Sequence, residues 1–162
     1  MRLPARAELP PALAQLLGSL AAELGACREP WWLIGSAAMA VHGAAVEVAD
    51  VDLLLAVADA QAFLDRRGVA AEAGTPNDIF SSAVFGTLPA PPFTVELFAG
   101  FRVRGADGWR PLVPETRQMV PMADSTVFVP SIAELIEWGR LFGRAKDAAR
   151  EPLLQALLGR CP

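Results

Sequence analysis

The sequence predicts an α/β (α+β) fold: a mixed β-sheet flanked by helices, with a helical segment at the C-terminal end. Three observations lead there. Apolar residues recur at helical spacing early, in "PPALAQLLGSLAAELG" (10–25), and late, in "PSIAELIEWGRLFG" (130–143). Between them lie short runs rich in β-branched and aromatic residues, broken by Gly and Pro. In the first half, strand-like and helix-like stretches alternate, the order that one sheet covered by helices requires.

The elements follow in turn. In residues 10–25, Leu13, Leu16, Leu17, Leu20 and Leu24 line one helix face, with Pro11 suited to the first turn and Gly25 to the stop. "WWLIG" (31–35) is a short apolar strand, and "SAAMAVHG" (36–43) a helix that Ser36 can cap and Gly43 can end. "VEVADVDLLLAV" (46–57) is a strand entering the core, and "DAQAFLDRRG" (59–68) a short amphipathic helix. "DIFSSAVFGTL" and "FTVELFAGFRV" are strands separated by a turn at "PAPP" (89–92). "GADG" (105–108) marks a hairpin turn and "STVFVP" a last strand. Ser131 with Glu134 forms a capping box for the next helix. "RAKDAAREPLLQALLGR" closes the chain as helix, with Pro152 placed near a helix start or at a break.

At 162 residues the chain is one domain's worth, read as residues 1–162: an N-terminal helix (1–30), a sheet core (31–130) and C-terminal helices (131–162). A net charge of −4 argues against non-specific nucleic-acid binding as the main role, while leaving room for a local basic patch. Cys27 and Cys161 stand apart, outside any C-x-x-C or His/Cys cluster, and read as free thiols of a reducing cytosol. Prolines and acids interrupt the first residues where a signal peptide needs an apolar core, and no stretch is long enough to span a bilayer. The expected location is cytoplasmic.

Asp50 and Asp52 stand out inside the apolar strand. Two residues apart, their side chains leave the same face while Val51 points into packing. Carboxylates this close repel unless a cation lies between them, and magnesium prefers such oxygens. Alone, the D-x-D pair also suits a hydrated strand end. Gly35-Ser36 adds a tight strand-to-helix turn whose free N–H groups suit an anion. Glu96, between Val95 and Leu97, repeats the context of Asp50 and can join the cluster if its strand is adjacent. His42, the only histidine, reads as structural, and the four Trp as core and cleft wall.

The combined pattern resembles the nucleotidyltransferase superfamily, whose best-known branch is the beta-type DNA polymerase. It reads "LIGS", thirteen intervening residues, "DVD", and later "VEL". Within it, the chain is similar to small stand-alone bacterial members, with a "GxALxxHG"-like helix and an ending here written "LIEWGRLFGRAKD" (135–147). The resemblance spans about residues 31–147. It departs from many relatives in having "AAVEVA" with Glu47 before the D-x-D pair, and Gly139 where a lysine is common.

The resemblance implies an enzyme. A nucleoside monophosphate would pass from a nucleoside triphosphate to a hydroxyl acceptor by two-metal catalysis. Asp50, Asp52 and Glu96 would be catalytic and hold two Mg2+ ions, with Glu96 as ligand or general base. Gly35, Ser36, Arg144 and Lys146 would bind the nucleotide. The competing expectation is a degenerate member serving as a nucleotide-binding or protein-interaction module, such as a toxin–antitoxin component. A protein partner fits either expectation.

Overall fold

The computed structural model describes residues 8–74 and 76–159. Cys161 and the first seven residues lie outside them. The elements are α1 (Pro11–Leu24), β1 (Trp32–Ile34), α2 (Gly35–Val41), β2 (Asp50–Leu55), α3 (Val57–Arg66), β3 (Phe80–Ser81) and β4 (Val84–Ala90). There follow β5 (Phe93–Ala99), β6 (Arg102–Gly105), β7 (Gly108–Pro111), β8 (Gln118–Met122), β9 (Ser125–Val129), α4 (Ile132–Phe142) and α5 (Ala145–Leu158). This is the α+β architecture the sequence predicts.

The central sheet has four strands in the order β1-β2-β5-β4. It is mixed: β2 and β5 run parallel, while β1 and β4 pair antiparallel at the edges. One of its faces is the core. Leu33, Val51, Leu53, Val95 and Leu97 alternate onto it and are buried, and α1 adds Leu13, Leu17, Leu20 and Leu24 at helical spacing. A fully buried leucine contributes about 1.5–3 kcal/mol, so this layer dominates stability. α3 closes over the same face at Gly86, where a Cβ would stand 2.5 Å from Leu64 Cδ2.

The strands do not all join one sheet. β3, β6 and β7 form a separate three-stranded sheet, and β8 and β9 a two-stranded one. The run "DIFSSAVFGTL" is therefore two strands in different sheets, and "FTVELFAGFRV" breaks at Gly100, whose φ is +61°. The chain leaves the central sheet there because no further neighbour awaits it beyond Ala99. β4 also runs through Pro89 and Ala90, so the "PAPP" turn shrinks to Pro91 and Pro92. β4 is an edge strand, where a proline's missing N–H costs no ladder bond.

Two helix readings change. Pro152 lies inside α5 rather than at its start or at a break. It is solvent-exposed, so water can take up the carbonyl that its missing N–H leaves unpaired. Ser36 is not a cap: Ile34 is extended and holds that position, and the helix begins at Gly35. Gly35 has φ +66°, which turns the chain so sharply that Ser36 already sits within the first helical turn.

Candidate active site

The face of the central sheet turned away from the core carries the acids. Parallel register sets Asp52 opposite Glu96, with Ile34 and Thr87 continuing that row on β1 and β4. Residues in register on neighbouring strands share a face, and Asp50 joins them two residues earlier on β2. Asp50, Asp52 and Glu96 all line one open cleft of about 470 Å3. Gly35 lines it too.

Gly35 and Asp52 are in intimate contact. A Cβ on residue 35 would fall 2.5 Å from Asp52 Oδ2, so a side chain is excluded there by space as well as by φ. Asp52 Oδ1 is buried and has no hydrogen-bond partner. Burial, then the charges of Glu96 and Asp50, then a hydrogen bond to Glu96, push the Asp52 carboxyl from 3.8 to about 7. Glu96 is also held above the ordinary glutamate range, by burial first and by Asp50 second. Lys146 works against both shifts. The cluster thus carries more negative charge than its surroundings favour, and both carboxyls are held more basic than ordinary ones.

An orphaned carboxylate oxygen among three oxygen donors suits a hard divalent cation. Among the described residues, no three or more His, Cys, Asp or Glu side chains are gathered into a cluster that could by itself hold a metal ion. Magnesium does not need one, because it keeps waters and takes phosphate oxygens as ligands. The donor set fits the ion on those terms.

The other candidates divide. Lys146 lines the cleft and acts electrostatically on Asp52 and Glu96. Arg144 lines it as well, but its guanidinium is engaged by buried Asp147 through Nε at 2.7 Å and Nη2 at 3.0 Å. It also lies over Phe80 and Phe142, 5.0 and 5.2 Å from the ring centres. Ser36 is buried on α2 and does not line the cleft. His42 is structural, its Nε2 donating to the Pro130 carbonyl at 2.7 Å. Trp31 is core and Trp138 is cleft wall, while Trp109 sits on the β6–β7 hairpin beside Arg104, away from both.

The sequence reading missed the rest of the cleft. Phe85, Phe98 and Phe101 line it from the sheet side, Trp138 and Phe142 from α4, and Glu72, Asn77 and Phe80 from the segment between α3 and β4. One signal was present: Phe98 follows Glu96 by two residues, so strand alternation alone puts both on one face.

No protein-family model matches the sequence, and no curated protein matches it. Solved structures do. A Thermotoga maritima protein provisionally assigned as a nucleotidyltransferase superimposes with a TM-score of 0.75 at 23% identity, over 95% of this chain and 98% of that one. The chain has the nucleotidyltransferase fold. Two more distant structures share it at 12% identity each. The antibiotic-resistance factor ANT(2'')-Ia gives a TM-score of 0.56 over 90% of this chain and 84% of its own. An antigenic nucleotidyltransferase-like protein from Paracoccidioides brasiliensis gives 0.54 over 91% and 76%.

Proposed function

We propose that this chain transfers a nucleoside monophosphate from a nucleoside triphosphate to a hydroxyl acceptor. The observation that carries the reading is the pairing of Asp52 with Glu96 on parallel strands, with Asp50 above them and the left-handed turn at Gly35 against Asp52. In the reaction, the acceptor oxygen bonds to the α-phosphorus and the bond from that phosphorus to the bridging oxygen breaks. Pyrophosphate leaves, and the hydroxyl proton passes to a carboxylate. Glu96 is suited to take it, because burial and Asp50 make it a stronger base than an ordinary glutamate.

Asp50, Asp52 and Glu96 would hold magnesium, which when bound supplies positive charge to the phosphates and acidity to the hydroxyl. Gly35 keeps the approach to Asp52 open, and of Ser36, whose side chain is off the cleft, only the backbone N–H would be on offer. Lys146, and Arg144 if it releases Asp147, meet phosphate oxygens. One observation favours a second reading, an inactive nucleotide-binding or protein-interaction module: the hold of Asp147 on Arg144 leaves the phosphates fewer ready cations.

Calorimetry with ATP, GTP, CTP and UTP, with and without magnesium, separates the two. The enzyme reading expects magnesium-dependent binding of at least one triphosphate that Asp50→Asn/Asp52→Asn abolishes. If all four fail to bind in saturating magnesium, the interaction-module reading takes its place. Binding that survives the double substitution would show that the acids hold no metal.

A further inference from the structure

We propose that the acceptor carries its hydroxyl on an aromatic ring, and that this ring lies on a wall of phenylalanines beside Glu96. The proposal rests on the nucleotidyl-transfer reading above and adds the acceptor class to it.

The wall is continuous. Phe85 and Phe98 meet at 5.2 Å between ring centres, Phe98 and Phe101 at 5.7 Å, and Phe101 and Phe80 at 5.5 Å. Phe80 then meets Phe142 at 4.7 Å, and Phe142 meets Trp138 at 6.1 Å. All six rings line the cleft that holds the acids. Five of the eight phenylalanines of the chain are gathered here, where Phe101 and Trp138 are the buried part of a second, smaller apolar cluster with Ile34 and Leu54. Phe80, Phe85, Phe98 and Phe142 are only partly covered, so ring surface stays open to a ligand.

Position decides what that ligand is. Across the sheet the order is β1, β2, β5, β4. Gly35 follows β1, Asp52 is on β2, Glu96 and Phe98 are on β5, and Phe85 pairs with Phe98 from β4. Phe98 and Phe85 therefore lie across Asp52 from the Gly35 turn, while the other end of the wall, Phe101 and Trp138, packs against Ile34 and Leu54. A triphosphate held at the turn leaves the Glu96 side for the acceptor. Phe98 is two residues beyond Glu96 on the same face, about 7 Å along the strand. A hydrogen bond of about 3 Å to the hydroxyl, plus the about 4 Å from a phenol oxygen to the far carbon of its ring, makes up that distance. A hydroxyl within reach of Glu96 thus places an attached ring over Phe98 and Phe85.

The polar groups near the wall add to this. Asn77 Oδ1 is already taken by the N–H groups of Ile79 and Phe80, at 2.8 and 2.6 Å. A flat ring would stack on these rings, and Glu72, Ser81 and Ser82 line the same cleft.

The test uses the full chain with magnesium and whichever triphosphate it binds. The acceptor probes are 4-ethylphenol and cyclohexylmethanol, and the readout is pyrophosphate release. The phenol should support release at least about tenfold faster than the alicyclic alcohol. Phe98→Leu should slow phenol-dependent release about fivefold, the worth of one lost ring contact, and change triphosphate affinity less than about twofold. Phe85→Leu, at the more open end of the wall, should act in the same direction, with thermal unfolding confirming that both variants are folded. Equal rates with the two alcohols would overturn the proposal while leaving nucleotidyl transfer intact. So would a tenfold loss of triphosphate affinity in Phe98→Leu, which would assign the wall to the nucleobase. Failure of the unaltered chain to bind any triphosphate would instead overturn the reading on which the proposal rests, and the proposal with it.

Discussion

Replacing Asp52 by Asn should make the protein more stable at neutral pH, and the gain should vanish in acid. Asp52 Oδ1 is buried without a partner, and Oδ2 is pressed against Gly35. Its carboxyl titrates near 7 instead of 3.8, through burial first and the charges of Glu96 and Asp50 after it. The folded-state value is the higher one, so between about pH 4 and 7 the folded protein binds more protons than the unfolded chain. Stability from this group is therefore full below pH 4, falls as the pH rises, and is lost above about 7. At about 1.4 kcal/mol per tenfold change in proton affinity, the ceiling is about 4 kcal/mol. Glu96 and Asp50 keep their own charges in the variant, so only part of that, about 2 kcal/mol, should appear as the gain at pH 8. For a chain of this length the melting temperature should rise by about 5 °C.

The assay is thermal unfolding of both proteins from pH 4 to 8.5, in EDTA and in millimolar magnesium. In EDTA the two curves should meet near pH 4 and separate steadily to pH 8. Magnesium should stabilise the natural protein at pH 8 and leave Asp52→Asn nearly unchanged, since only the charged site has reason to take the ion. A variant that is less stable than the natural protein at pH 8 would refute the reasoning. So would a gain of the same size at every pH, which would mean that the carboxyl is not charged against its surroundings.

Other substitutions test other parts of the argument. Gly35→Ala should cost about 2 kcal/mol, from the left-handed φ and the 2.5 Å approach to Asp52 Oδ2, and should abolish triphosphate binding; unchanged thermal unfolding would refute the tight turn. Gly86→Ala should cost about 1–3 kcal/mol by overpacking Leu64, and Leu64→Ala in the same chain should cost less than the two single changes together in urea unfolding. Glu134→Gln should cost about 2 kcal/mol in the same assay, because its buried carboxylate accepts from the Glu115 and Thr116 N–H groups at 2.6 and 2.9 Å and from the Thr116 hydroxyl; a loss below about 0.5 kcal/mol would show that these bonds are dispensable.

What the sequence made legible was local. The two-residue spacing of Asp50 and Asp52 determines their common face whatever the rest of the chain does. The left-handed turn at Gly35 follows from the only residue type that adopts it without strain. Glu96 was legible only conditionally, because its apolar context says that it is on a strand but not which strand lies beside it. The parallel pairing of β2 with β5 joins residues more than forty positions apart, and no short-range signal encodes it. The same limit hid the division into three sheets: "DIFSSAVFGTL" looks like one strand because β3 is only two residues long and lies just ahead of β4.

Where the sequence misled, side chains had a better partner elsewhere in the fold. Ser131 and Glu134 carry the spacing of a capping box, and Ser131 Oγ does accept from the Glu134 N–H at 3.1 Å. The return bond is absent, because Thr116 Oγ1 satisfies the Ser131 N–H at 2.8 Å and the Glu134 carboxylate turns to Glu115 and Thr116. The motif therefore anchors α4 to a loop as well as starting it. A second anchor lies at the start of α5, where Asp147 accepts from both the N–H and the guanidinium of Arg144. Both anchors fix α4 and its junction with α5, and α4 carries Trp138 and Phe142. The far wall of the cleft is thus held in place from outside the acid cluster, and its position depends on contacts that sequence spacing alone does not reveal.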